Sequence, residues 1–169
     1  MDAVAARVPA PGGGSSTAWA TALAASLVEM AARFAGDLGL AHRVRDLRAR
    51  ALELAEVELH AYEPVLEALR LPRHDPERAA RVDAARTEAS QSPLEVAQVA
   101  AEVAEMAADI TQAGNPNLAG DAIAGALLAE AAAQAAARLV AINLVDGPMV
   151  SQSSEFAARA QAARTRALN

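Results

Sequence analysis

The sequence predicts an all-α bundle of about six helices, and three observations carry that expectation. Apolar residues recur at spacings of three and four over long stretches, no stretch alternates usefully with period two, and the breaks between stretches are rich in Gly and Pro. The chain has 169 residues, which suits a single domain over 1–169 with a real core. Hydrophobic residues make up 53% of it but aromatics only 2%, so Ala, Leu and Val must fill the core and the helices must approach closely.

The first helix is expected to start at Ser15 or Ser16, because Pro11 and the run Gly12-Gly13-Gly14 disfavour helix while Ser is a good N-cap, and to end near Gly36 or Gly39. Leu23, Leu27, Met30 and Phe34 mark its expected core stripe. A second helix is read from about Ala41 to Leu69, with Val44, Leu47, Ala51, Leu54, Val57 and Ala61 on one face and Pro64 kinking or dividing it. Asp75-Pro76 reads as an N-cap with Pro at the first position of a short charged helix over 76–90. Ser92-Pro93-Leu94-Glu95 reads as a capping box opening a fourth helix that ends at Gly114. After the turn Asn115-Pro116-Asn117, Asp121 to about Val145 forms the most apolar helix, and Ser151 to Leu168 forms a last polar one.

Charge and composition exclude several function classes. The formal charge is −6, all 15 basic residues are Arg, and no Arg cluster is interleaved with aromatics, which argues against nucleic acid as a partner. The absence of cysteine excludes thiolate chemistry and agrees with a reducing compartment. The N-terminus has no secretory pattern, so a cytoplasmic location is expected. The two most apolar segments carry central charges, Glu29 with Arg33 and Glu130 with Arg138, which argues for core helices and against membrane spans. Their Ala-rich faces also offer more apolar surface than six helices cover, and a homodimer or larger homo-oligomer is expected.

Few residues carry chemistry. The turn Gly12-Gly13-Gly14-Ser15 before a helix has two readings: a cradle whose N–H groups meet an anion or polarised carbonyl, or a linker ending in a Ser cap. Asp121, with Gly120 before it and Gly125 one turn later, is either a partly buried acid–base group beside space for a ligand or a residue serving the helix dipole. His42, His60 and His74 assemble no site, and Glu53, Glu56, Glu58, Glu63 and Glu67 read as an acidic helix surface, so no metal is expected.

Taken together, Pro9-Ala10-Pro11-Gly12-Gly13-Gly14-Ser15, the Ala-rich helix through Leu27-Val28-Glu29-Met30, and the distal Gly114-Asn115-Pro116-Asn117 with Gly120-Asp121-Ala122 resemble the cyclodeaminase/cyclohydrolase family. Leu71-Pro72, Ser92-Pro93-Leu94 and Ile142-Asn143-Leu144 extend the likeness over nearly the whole chain. The resemblance implies an all-α homodimer or larger assembly, a tetrahydrofolate derivative as substrate bound near the glycine turn, and one of two reactions. These are hydrolysis of 5,10-methenyltetrahydrofolate to 10-formyltetrahydrofolate, or cyclisation of 5-formimidoyltetrahydrofolate with loss of ammonia. Asp121 matches the family's aspartate associated with catalysis, and Gly12, Gly13, Gly14, Ser15, Asn115 and Asn117 would shape the folate site. The hydrolase is the expected reaction, because no formimidoyltransferase domain accompanies the sequence.

The chain also departs from the family pattern. It has no lysine, where relatives usually carry Gly-Lys-Lys after the first helix, and Glu58-Leu59-His60-Ala61-Tyr62 replaces an Asp of the second helix by a longer acid. Leu139-Val140-Ala141-Ile142-Asn143-Leu144 lacks one Asn and one Arg of the corresponding segment. A catalytically silent folate-binding or assembly protein of the same fold is therefore the alternative reading.

Overall fold

The computed structural model describes residues 2–8, 10–113 and 116–169, with the side chains of Pro116 and Leu118 outside the description. Among the described residues there are eight helices and no strand. They are α1 (Asp2–Ala5), α2 (Gly13–Phe34), α3 (Leu38–Val57), α4 (Glu63–Arg70), α5 (Arg78–Ala89), α6 (Gln91–Gln112), α7 (Pro116–Asn143) and α8 (Pro148–Leu168).

The all-α expectation holds, and most breaks fall where Gly and Pro place them. Gly36, with φ of +75°, closes α2 as its N–H reaches Arg33 O and the Asp37 N–H reaches Ala32 O, the paired bonds of a glycine stop. Asp37 then caps α3, its Oδ1 accepting from the Leu40 N–H at 2.8 Å. Pro64 divides the predicted second helix: it cannot donate to the carbonyl four residues back, so the chain leaves the helix after Val57 and restarts at Glu63. That break fixes Glu58 at the open end of α3.

Three boundaries differ from expectation. The glycines are themselves the first turn of α2, with Gly12 as N-cap and the first helical bond from Ser16 N–H to Gly12 O at 3.0 Å. A first turn asks little of propensity, because its N–H groups have no intrahelical partner in any case. No capping box forms at Ser92. The helix already starts at Gln91, Leu94 N–H bonds Ser90 O, and Glu95 is drawn to Arg50 in a two-point ion pair of 2.6 and 2.7 Å. Finally, α7 starts at Pro116, which puts Asp121 beyond the first turn.

The core is built from Ala and Val, with Leu54 the largest fully buried side chain. α7 lies against α2, α6 and α8. It runs antiparallel to α2: a Cβ on Gly13 would stand 3.7 Å from Leu139, while one on Gly125 would stand 2.7 Å from Val28 Cγ2 and 3.3 Å from Ala24 O. Gly125 therefore makes room for α2, where the sequence suggested room for a ligand.

This close approach uses the small face of α2, namely Ala18, Ala22, Ala25, Val28 and Ala32. The predicted core stripe is turned outward instead, with Leu23 56%, Met30 37% and Phe34 74% exposed. On α7, Leu127 and Ile142 are exposed as well. The segment Ala119–Asn143 is long and apolar enough to cross a membrane by length and composition, yet in the bundle it is a packed helix with one open stripe.

Candidate functional site

The N-terminus of α2 forms the wall of a cleft of about 230 Å³, closed by Glu58, Ala61 and Tyr62 after α3, Ala89 and Pro93 at the α5–α6 junction, and Leu139, Ile142 and Asn143 at the end of α7. Helix geometry leaves the N–H groups of Gly13, Gly14 and Ser15 without intrahelical acceptors, so the positive end of the helix faces this space. Ser15 is almost wholly buried, and its hydroxyl has no hydrogen-bond partner within the protein. A buried polar atom left so costs free energy until something else satisfies it.

Glu58 is the one charged residue lining this cleft among the described residues. Its carboxyl rests on Gly14: any side chain there would overlap it. The Oε1 atom is buried and unpartnered. Burial pushes the Glu58 carboxyl above the usual carboxylate range. The Ser92 hydroxyl pulls the other way, although the two do not meet hydrogen-bond geometry and Ser92 Oγ is itself unpartnered.

A second hollow, of about 460 Å³, opens on the other side of the same residue, between Ala10, Pro11, Leu59, His60, Glu63 and Leu66. Glu58 and Tyr62 belong to both walls. The two hollows thus form one groove with Glu58 and the half-exposed ring of Tyr62 at its seam. In the outer hollow, His60 Nδ1 meets Glu63 Oε1 at 3.0 Å on an exposed surface. No group of three or more His, Cys, Asp or Glu side chains that could hold a metal occurs among the described residues.

A hollow of about 440 Å³ between α2 and α3 is lined by Glu29, Met30, Arg33, Phe34 and Arg48. Its buried carboxylate is already paired with Arg33 at 2.6 Å and Arg48 at 3.2 Å, which leaves no free group for proton transfer.

Of the residues singled out in the sequence, Gly12, Gly13, Gly14 and Ser15 all line the groove. Asp121 does not. It is exposed on α7, and the helix carries it about 27 Å from Leu139, at 1.5 Å per residue. Asn117 is exposed at that same distant end, and Asn115 lies outside the described residues. The sequence places Glu58 both on an acidic helix surface and at a position where the resemblance has an Asp, without assigning it a role; Pro64 six residues later is the signal that the helix ends there.

The comparisons with known proteins agree with this architecture. A methenyltetrahydrofolate cyclohydrolase of Methylorubrum extorquens is 29% identical over 158 residues, covering 85% of this chain and 76% of that protein. The crystal structure of a formiminotetrahydrofolate cyclodeaminase from Thermotoga maritima superposes with a TM-score of 0.87 at 26% identity, covering 98% of this chain and 90% of the other. The formiminotransferase-cyclodeaminase family matches residues 1–162, and the chain belongs to that family.

Proposed function

We propose that this protein is a folate-dependent one-carbon enzyme that hydrolyses 5,10-methenyltetrahydrofolate to 10-formyltetrahydrofolate, and that the folate lies in the groove over the glycine turn. The observation that carries this reading is the groove itself: an open helix N-terminus, a buried unpartnered hydroxyl and a carboxyl of raised proton affinity, in a chain of this family. Hydrolysis of an amidinium carbon needs a group that takes a proton from water, and the tetrahedral adduct needs donors for its developing charge. Cyclisation of 5-formimidoyltetrahydrofolate runs through a similar tetrahedral carbon and needs an acid for the departing ammonia. The likeness to the Thermotoga maritima cyclodeaminase keeps that as the second reading.

Asp121 enters this reading through a second copy of the chain. Leu23 of α2 and Leu127 of α7 are exposed apolar residues beside the open stripe of α7, in which Ala131 lies about midway between Asp121 and Ile142 at the groove end. A two-fold axis there would set the two α7 helices antiparallel and bring Asp121 of each copy to the glycine turn of the other. In the homodimer so formed, Asp121 is a general acid–base group and Asn117 borders the same site.

Purified protein tests the reaction directly. Ultraviolet absorbance follows 5,10-methenyltetrahydrofolate, and released ammonia follows 5-formimidoyltetrahydrofolate. Acceleration over buffer with the first is expected; acceleration with the second alone would transfer the assignment to the cyclodeaminase. Binding of 5-formyltetrahydrofolate by calorimetry without turnover of either substrate would support the silent binding protein instead.

A further inference from the structure

We infer that Glu58 is a catalytic residue of this site, the base that takes the proton of the attacking water and returns it to the departing ring nitrogen; this rests on the proposed folate chemistry. Glu58 lies at the seam of the groove, shared by the inner hollow at the glycine turn and the outer hollow beside Pro11. A folate is an elongated molecule whose reactive carbon bridges N5 of the pterin and N10 of the aminobenzoyl group. Laid with the pterin in the inner hollow and the aminobenzoyl group in the outer one, it places that carbon over the seam. Tyr62, which also lines both hollows, supplies an aromatic edge at the same point.

Two features fit Glu58 to the task. Its Oε1 is buried with no partner in the protein, while the ion pairs that engage Glu29 and Glu95 are absent from it. Gly14 leaves the space its carboxyl occupies, so the glycine turn positions this acid as well as presenting N–H groups. The inner hollow offers no other charged group among the described residues, and the outer one adds His60 and Glu63, which are paired with each other.

The proton balance closes. Water oxygen attacks the methenyl carbon of the cationic substrate, one water proton passes to the Glu58 carboxylate, and a neutral hydroxyl adduct forms. The bond from carbon to N5 then breaks, N5 takes the proton back from Glu58, and the hydroxyl loses its proton to leave a formyl group on N10. One proton is released in total, taken up by Asp121 of the second copy and passed to solvent.

The test measures kcat and KM for 5,10-methenyltetrahydrofolate across pH with wild type, Glu58→Gln and Glu58→Asp. Loss of a positioned acid–base group typically lowers turnover by about 10²–10⁴-fold, and that fall in kcat is expected for Glu58→Gln with KM within about threefold of wild type. Glu58→Asp is expected to recover part of the rate and to move the acid limb of the profile. Glu58→Gln with kcat within threefold of wild type, or with a change in KM alone, would overturn the inference while leaving the folate assignment in place. A silent wild type would overturn both. Should Glu58→Gln fail to fold, an acid limb that is identical in Glu58→Asp and wild type would count against the inference.

Discussion

The carboxyl of Glu58 occupies the space in which a side chain on Gly14 would stand. One residue ends α3 and the other begins α2, so the groove depends on a glycine at that point whatever the helix propensity there. Gly14→Ala must push the carboxyl out of the groove or shift the first turn of α2. We expect at least a tenfold loss in kcat/KM, with a stability cost of about 1–3 kcal/mol from overpacking. An unchanged kcat/KM would show that the carboxyl has no fixed place in the site.

Glu58 should also cost stability for the sake of its position. Its folded-state pKa lies above the usual carboxylate value of 4.5, so the folded protein holds this proton more tightly than the unfolded chain does. The neutral form therefore favours folding, and the penalty of the ionised form is absent below the unfolded value and grows as pH rises through the folded one. Glu58→Gln removes the charge. It should raise stability at neutral and alkaline pH, with the gain vanishing under acid conditions. Urea denaturation at several pH values measures this, and a variant less stable than wild type at alkaline pH would contradict it.

Gly125 and Gly120 sit on the same helix and should respond oppositely. A side chain at Gly125 meets Val28 Cγ2 and the Ala24 carbonyl, whereas one at Gly120 meets nothing within 4 Å. Gly125→Val should destabilise by about 1–3 kcal/mol, and Gly120→Ala should stabilise by about 0.5–1 kcal/mol through helix propensity. Thermal unfolding of the two variants checks the packing of α2 on α7. Equal effects of the same sign would contradict it.

The outward stripe of α2 and α7 gives a prediction for assembly. Leu23→Glu with Leu127→Glu would set like charges against each other near the proposed two-fold axis. Light scattering should then show a monomer where wild type is a dimer at micromolar concentration, and turnover should fall more than tenfold because Asp121 is withdrawn. A monomeric wild type would contradict the composite site.

The helices were legible in the sequence because Gly36, Pro64 and Gly147-Pro148 punctuate them strongly, and the glycine turn was legible as a feature that lines the candidate site. Which stripe of α2 is buried was not. When Ala fills the remaining positions, spacing marks two candidate faces, and close packing against Gly125 selected the one with the smaller side chains. The separation of Asp121 from the turn was likewise hidden, since it follows from one uninterrupted helix over Pro116–Asn143. Glu58 stood out only as a longer acid in place of a family Asp amid acidic neighbours, and the restart before Pro64 is what turns it inward.

The claim that Asp121 of one copy serves the groove of the other is tested most directly by mixing subunits. Asp121→Asn and Glu58→Gln homodimers, each nearly inactive, are unfolded together and refolded as a mixture. If the site is shared, each mixed dimer holds one intact site, and random pairing should restore about a quarter of wild-type turnover of 5,10-methenyltetrahydrofolate. If both residues act within one chain, every site keeps one lesion, and activity no higher than that of the separate variants would contradict the account.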